Sequence, residues 1–457
     1  MSVELIRVIE IQEHSPKHFT LQNQITMGKL ATNEVLQFLV IVAILLGTAR
    51  VMGELFKKFG LPAIIGELLG GILLGPSFIG SLFPGFFQTI FTDPKQPAVA
   101  FDGLSKLSVM LLLFIAGMEV KLENIRTRGK AAAKISFSGI IFPLALGFGV
   151  TWFFYDLFFS APAENRMVPA LFMGTALSIT ALGVMAKILI DIDMIKTRFG
   201  NLMMTAAMID DIIGWMLFSV VIAIANLKSE SQFNAVTVLL IMIGFAVFLM
   251  TVGRKIVDPL FRYANTKLSK PGGELSLAIF LCLLGGIFTE WLGIKAIFGA
   301  FLMGITIGNS PYFSEKAKET LHDIVTYVFS PLFFVSIGLK VNFVSNFDLG
   351  IVFFVLAISI LGKVLGGFTG ARLSGFKTNK AMAVGFGMNA RGSQEIVLGL
   401  VALQAKIIDE KIFVGLVIMT FVTILMAGPM IKYYLRKHES IHPTPEEEKP
   451  VVTPAVA

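Results

Sequence analysis

Gly60-Leu-Pro-Ala-Ile-Ile-Gly-Glu-Leu-Leu-Gly-Gly-Ile-Leu-Leu-Gly-Pro-Ser77 aligns without a gap with Gly293-Ile-Lys-Ala-Ile-Phe-Gly-Ala-Phe-Leu-Met-Gly-Ile-Thr-Ile-Gly-Asn-Ser310. The alignment sets Gly60, Gly66, Gly71 and Gly75 opposite Gly293, Gly299, Gly304 and Gly308. Self-similarity between distant stretches is the mark of a repeated structural unit. The spans that follow correspond too, since Phe114-Ile-Ala-Gly-Met-Glu-Val-Lys121 resembles Val335-Ser-Ile-Gly-Leu-Lys-Val-Asn342, with Gly117 opposite Gly338.

Both copies lie in a chain built for lipid. Hydrophobic residues make up 55% and charged residues 15% of it, and mean hydropathy is +0.79. A soluble domain carries roughly 25% charged residues. Apolar stretches of about 17 to 25 residues, the length that crosses ~30 Å of hydrocarbon, recur from Leu36 to Tyr434, and about 13 are predicted. They centre near Ile44, Leu69, Leu112, Leu144, Leu177, Ile209, Ile243, Leu281, Leu302, Phe333, Leu361, Ala390 and Ile424. The fold class predicted is therefore an all-α polytopic membrane protein. The repeats occupy predicted helices 2 to 6 (about residues 60–225) and 9 to 13 (about residues 293–436). Seven helices separate their starts, so the two copies enter from opposite sides of the membrane. An inverted repeat of this kind is a signature of secondary transporters.

Lys and Arg set the orientation. Loops after helices 1, 3, 5, 7, 9 and 11, together with the C-terminal end, hold Lys57, Lys58, Arg126, Lys187, Arg198, Arg254, Lys316, Lys377, Lys432 and most other basic residues. These loops are predicted to be cytoplasmic, which puts the N-terminus outside and the C-terminus inside. The same bias accounts for the net charge of +7. Basic residues beside membrane ends, without interleaved aromatics on one soluble face, exclude nucleic acid as a partner. Residues 1–32 read as a polar segment with no signal peptide, residues 33–436 as the membrane domain, and 437–457, with Glu446, Glu447, Glu448 and several prolines, as a disordered tail. Cys282 is single and lies in a hydrophobic span, and His14, His18, His322, His438 and His442 lie outside the spans. A disulfide framework, a redox motif, a His-based relay and a resident cofactor are not expected.

The polar residues inside the spans carry the function. Asp210 and Asp211 stand side by side in Asn201-Leu-Met-Met-Thr-Ala-Ala-Met-Ile-Asp-Asp-Ile-Ile-Gly-Trp-Met-Leu-Phe-Ser-Val-Val221. A carboxylate at the bilayer centre costs at least ~2.5 kcal/mol, so the pair is expected to face water, bind a cation or share protons. A purely structural pair joining neighbouring helices is the alternative. Lys363, alone among Gly and Ile in its span, is expected to pair with Asp210. Breaking that pair on arrival of a cation would let Lys363 or Asp210 release protons. The fourth helix of each repeat mixes Gly, hydroxyl and amide residues at mid-span: Met173-Gly-Thr-Ala-Leu-Ser-Ile-Thr-Ala-Leu-Gly-Val184, and Gly385-Phe-Gly-Met-Asn-Ala-Arg-Gly-Ser-Gln-Glu-Ile-Val397. Unwound backbone at that depth is tolerated only where it lines a cavity. Ser178 and Thr180 are candidate cation ligands, with bonding back to their own helix as the alternative. Asn389, Arg391 and Glu395 are candidate supports of the break, the last two offsetting half-helix dipoles.

With these residues placed, the chain resembles the bacterial monovalent cation:proton antiporter family 2 over roughly residues 33–436. The resemblance rests on Leu61-Pro-Ala-Ile-Ile-Gly-Glu-Leu-Leu-Gly-Gly-Ile-Leu-Leu-Gly-Pro76, Leu113-Phe-Ile-Ala-Gly-Met-Glu119, Ala206-Ala-Met-Ile-Asp-Asp211, Lys363 and Met388-Asn-Ala-Arg-Gly-Ser-Gln-Glu-Ile-Val397. It implies a homodimer in which a core domain holding two crossed broken helices moves in an elevator-like step against a dimerisation domain. It implies that Asp211 binds the cation, Na+ or Li+, and that Asp210 partners Lys363. Paired aspartates with this lysine resemble the electrogenic members. The expected activity is Na+(Li+)/H+ antiport in a bacterial inner membrane, with no enzymatic chemistry and no cofactor. K+/H+ antiport is the first alternative, and a cation channel, which needs no titrating pair, is the rival from another class.

Overall fold

The computed structural model describes residues 31–59, 62–92, 95–120, 122–159, 166–192, 194–195, 197–226, 235–269, 271–292 and 295–441. The polar N-terminal segment up to residue 30, the repeat glycines Gly60 and Gly293, and the tail from residue 442 lie outside them. Among the described residues there is no strand. The first part of the chain forms α1 (Thr32–Lys58), α2 (Ala63–Leu74), α3 (Lys95–Met118), α4 (Leu122–Phe153), the half-helices α5 (Met167–Ala176) and α6 (Leu182–Asp191), and α7 (Arg198–Asn226). Two spans then link the repeats: α8 (Ala235–Phe248), continued by a π-helical turn into α9 (Arg254–Lys267), and α10 (Gly272–Trp291). The second repeat comprises α11 (Ala296–Gly308), α12 (Glu315–Ile324), which passes through the π-helical turn Val325–Phe329 into α13 (Ser330–Lys340), then α14 (Leu349–Leu373), the half-helices α15 (Thr378–Met388) and α16 (Ser393–Gln404), and α17 (Glu410–Ile441).

Nine helical stretches among the described residues are long and apolar enough to cross a membrane. They coincide with nine of the thirteen predicted segments. The other four predicted segments, near Leu177, Ile243, Leu302 and Ala390, fall on the α5–α6 pair, α8, α11 and the α15–α16 pair. Large apolar side chains such as Leu36, Phe153, Val247, Ile287 and Trp291 are exposed on the outside, as lipid-facing helices require. The largest fully buried side chains include Lys363 and Arg391 beside Trp215 and several phenylalanines. Polarity has been turned inward. The last helix continues through Ile441, past the boundary predicted at residue 437, because a helix satisfies its own backbone and does not end where the hydrophobic run ends.

Inverted symmetry is visible atom by atom at the glycines. A Cβ on Gly71 would strike the carbonyl oxygen of Val335, and one on Gly304 would strike that of Phe114. Val335 and Phe114 are matched positions of the two repeats, so the first helix of each repeat packs on the second helix of the other. Within each repeat a second pair recurs. A Cβ on Gly174 would lie 2.6 Å from the Leu144 carbonyl oxygen and 3.2 Å from the Phe148 nitrogen; on Gly385 it would lie 2.6 Å from the Val364 oxygen and 3.2 Å from the Phe368 nitrogen. Small residues let helices approach to backbone contact where lipid offers no hydrophobic drive for association. This is why the glycines, rather than the bulkier residues between them, carry the repeat signal.

Gly71→Val is therefore expected to remove the α2–α13 contact and most of the folded protein, and Gly304→Val to do the same at α11–α3. The check is the monodisperse yield after detergent extraction. A normal yield for either variant would mean that the backbone contact is not needed.

Candidate functional site

The two broken helices cross at their breaks. α5 ends at Ala176 and α6 begins at Leu182, while α15 ends at Met388 and α16 begins at Ser393. The non-helical linkers between them meet, and the Ala181 amide donates to the Ala390 carbonyl at 2.9 Å. Gly392, extended at φ −162°, starts α16. Each break leaves carbonyls and amides without helical partners, and buried charge satisfies them. The Arg391 guanidinium donates to the carbonyls of Ala176 at 3.0 Å, Leu177 at 2.5 Å and Ile179 at 3.4 Å, capping the negative end of α5. Glu395 sits at the positive end of α16 and accepts from the Gly392 amide at 2.7 Å. Its other oxygen lies 3.8 Å from Arg391. Both residues are fully buried, so each charge offsets the other and the adjacent dipole.

Asp210 and Asp211 come from the middle of α7, both with no exposure, and their surroundings differ completely. Asp210 is saturated. Its Oδ1 accepts from Ser136 at 2.5 Å, and its Oδ2 accepts from Lys363 Nζ at 2.5 Å. The Thr180 hydroxyl lies 2.8 Å from Asp210 Oδ2 and 2.6 Å from the Met388 carbonyl, and its one proton serves one of them at a time. Lys363 also donates to the carbonyls of Gly139, at 2.9 Å, and Ser178. All three ammonium donors are thereby used. A buried ion pair repays its desolvation only with such complete bonding.

Asp211 is left half free. Its Oδ2 accepts from Gln394 Nε2 at 3.1 Å, while Oδ1 has no partner. Gln394 Oε1 and both polar atoms of the Asn389 side chain, in the break itself, are also buried without partners. Asp211 and Gln394 line a cavity of about 670 Å³ together with Ala181, Leu182, Lys187 and Lys432. Asp210 does not line it. The lining also includes Lys57, Lys187, His322 and Lys432, which belong to the stretches read as basic or loop segments in the sequence.

The structure thus brings together Asp210, Lys363 and Thr180 in one bonded cluster, and Arg391 and Glu395 at the helix crossing. Ser178 contributes differently from a hydroxyl ligand. Its Oγ donates to the Thr175 carbonyl at 2.7 Å, bonding back to its own half-helix, and its carbonyl takes the lysine. Ser178→Ala is accordingly expected to leave exchange within about twofold of wild type, at a stability cost of about 1 kcal/mol for the lost hydrogen bond; a rate loss beyond tenfold would assign the hydroxyl a direct part. Ser136 and Gln394 escaped sequence reasoning. Ser136 carries no local signal, because only the packing of α4 against α7 places it on Asp210. Gln394 stands in the quoted stretch around Arg391, and its position one residue from Glu395 at the start of α16 was the available clue. No cluster of three His, Cys, Asp or Glu suited to a metal occurs among the described residues.

Comparison with known proteins follows the same lines. The sequence model of one family, "Sodium/hydrogen exchanger, transmembrane", matches residues 40–437. The Na+/H+ antiporter NhaS4 of Synechocystis is 33% identical over 411 residues, covering 88% of this chain and 97% of that protein. A Na+/H+ antiporter of Enterococcus hirae is 28% identical, over 88% of this chain and 99% of the relative. Cation/H+ antiporter 20 of Arabidopsis thaliana is 29% identical over 93% of this chain, which spans about half (51%) of that longer protein. The solved structure of the sodium proton antiporter MjNhaP1 from Methanocaldococcus jannaschii superposes with a TM-score of 0.62 at 16% identity, covering 88% of this chain and 99% of the other. That likeness establishes the shared fold.

Proposed function

The chain belongs to the sodium/hydrogen exchanger family, and on that footing we propose that it is a secondary active antiporter exchanging Na+ or Li+ for H+ at Asp211. One observation carries the reading: of two adjacent buried aspartates, only Asp211 has an unpartnered oxygen and lines the cavity, while every oxygen of Asp210 is bonded. A proton and a hard cation compete for the same carboxylate oxygen. Gln394, bonded to Asp211 and buried with an unpartnered oxygen, supplies a neutral donor of the kind that Na+ accepts in place of water. Exchange then needs only alternating access to one site. The cavity is lined by Lys57, Lys187 and Lys432, residues of the basic segments that the positive-inside rule assigns to the cytoplasmic side; the conformation is inward-open on that reading. Access from the other face is reached by an elevator-like movement of the helices around the crossing, in a homodimer of the bacterial inner membrane.

The test is proton efflux from proteoliposomes on addition of Na+, Li+ and K+ in turn. Na+ and Li+ are expected to drive efflux and K+ to drive little. The reverse order would establish K+/H+ exchange, the activity for which a relative in Saccharomyces cerevisiae, K+/H+ antiporter 1, is named. Flux that dissipates either gradient without coupling would mean a channel.

The adjacent carboxylates and their lysine support an electrogenic cycle, because two titrating groups exchanged for one monovalent cation move net charge. A membrane potential then biases the reaction by ~2.3 kcal/mol per charge per 100 mV. With equal pH and Na+ on both sides, a potassium–valinomycin potential is expected to drive a Na+ flux that reverses with the sign of the potential. If that flux is absent while pH-driven exchange persists, the cycle is electroneutral.

A further inference from the structure

Glu67 on α2 is a buried carboxylate that the site at the helix crossing does not use. It is 6% exposed, its Oε2 is buried without a partner, and no ion pair reaches it among the described residues. Its side chain lines the same cavity as Asp211 and Gln394 but is carried by a different set of helices. The basic residues closest to it along the mouth are engaged elsewhere, since Arg50 and Lys57 pair with Glu54 at 2.9 and 3.0 Å.

Helix packing does not require a carboxylate here. The matched position of the second repeat is Ala300, fully buried in α11, so a methyl group satisfies the same packing. Gly53 on α1 borders Glu67, since a Cβ there would lie 3.4 Å from Glu67 Cγ and 3.5 Å from its Oε1, in ordinary van der Waals contact. Other oxygens converge on this level of the cavity wall. The register that sets Gly71 against Val335 and Gly75 against Gly338 places Glu67, one turn earlier, beside the start of α13. Ser330 and Thr326, both hydroxyl residues, line the cavity there. Pro331 follows the π-helical turn Val325–Phe329 and has no N–H to offer the carbonyls one turn back. Irregular backbone of this kind clusters at functional sites and, at membrane depth, persists where it lines a cavity.

We propose that Glu67, with the Ser330 hydroxyl and the backbone oxygens freed before Pro331, forms a second, weaker site for the transported monovalent cation, where the ion is held between the aqueous mouth and Asp211. A carboxylate with neutral oxygens beside it is the donor set of a hard cation. In a narrow low-dielectric cleft a single fixed charge raises the local counter-ion concentration by about tenfold or more. The wall also carries Glu119 and Asp191 among its basic residues, but Glu119 lies 3.9 Å from His322 and Asp191 is exposed, which leaves Glu67 as the buried carboxylate of the wall between the mouth and Asp211 with no ion pair among the described residues. The proposal rests on Asp211 as the transport site.

The test uses the full-length protein in liposomes, with Na+ as the probe. Glu67→Gln is expected to raise the half-saturating Na+ concentration by at least about tenfold and to leave the maximal rate within about twofold. Glu67→Asp, which keeps the charge and serves if the amide variant does not fold, is expected to fall between. In detergent, Na+ titration is expected still to raise the melting temperature of Asp211→Asn, and not that of Asp211→Asn/Glu67→Gln. Exchange lost in Asp211→Asn together with an unaltered Na+ dependence in Glu67→Gln would overturn the Glu67 site alone. So would equal Na+ stabilisation of the single and double variants. Exchange retained in Asp211→Asn would overturn the Asp211 reading, and the staging role of Glu67 with it.

Discussion

Asp211→Asn is expected to reduce cation-driven proton movement to the level of protein-free liposomes while leaving a folded, monodisperse protein. The amide keeps the shape of the carboxylate and the contact with Gln394, but it can neither release a proton nor balance a monovalent cation. Folding survives because Asp211 makes one hydrogen bond and leaves its other oxygen without a partner. Replacing a buried, underused charge by a neutral isostere removes a desolvation cost rather than a bond network. The melting temperature of Asp211→Asn is thus expected to equal or exceed that of the wild type. Exchange above background in this variant would falsify the assignment of Asp211.

Lys363→Ala is expected to act the other way, on stability first. It leaves Asp210 with a fully buried charge and no counter-charge, and it strips a donor from the carbonyls of Gly139 and Ser178. Breaking a buried pair from one side costs about 3–5 kcal/mol. Activity is expected to fall with the folded fraction. With Asp210→Asn as the second single change, the double variant Lys363→Ala/Asp210→Asn removes both charges and is expected to be less destabilised than Lys363→Ala, because the loss lies in the orphaned carboxylate. Thermal melts of the two single variants and the double variant, read as a cycle, decide the matter. Strictly additive losses would show that the bond between α7 and α14 contributes no coupling. The contrast between the variants follows from the different environments of the aspartates: one is held by three donors, the other faces the cavity.

Both expectations concern residues that stood out in the sequence. Asp210, Asp211 and Lys363 were legible because charge inside an apolar span is costly wherever it points, so its presence demands a partner or a task. The pairing of Lys363 with Asp210 was legible for the same reason, and the structure places them 2.5 Å apart. The broken helices announced themselves through Gly, Thr, Asn and Arg at mid-span, residues that a plain lipid-facing helix does not keep. The division of labour between the aspartates was another matter. Residues one apart on a helix point about 100° away from each other, and nothing in their own segment says which one meets Ser136 and which one meets the cavity. Ser136, Gln394 and Glu67 illustrate the same limit. A buried serine or glutamine is unremarkable in its own helix, and a lone glutamate near a helix end reads as interfacial until a neighbouring repeat closes over it.

By itself, then, the sequence determined those properties that arise from a residue and its near neighbours along the chain: the apolar spans, the breaks, the buried charges and the glycine spacing that betrays an inverted repeat. These depend on transfer from water to lipid and on helix periodicity, both of which are local. Tertiary structure decided which residues meet. The carbonyls of Gly139 and Ser178 reach Lys363 from α4 and the break after α5, Arg391 reaches across to cap α5, and Glu67 faces the cavity that Asp211 also lines. In each case the partners are far apart in sequence, and the contact exists only because glycines let the two repeats interlock at backbone distance. Chemistry at a shared point needs side chains from several helices, and their convergence is a property of packing.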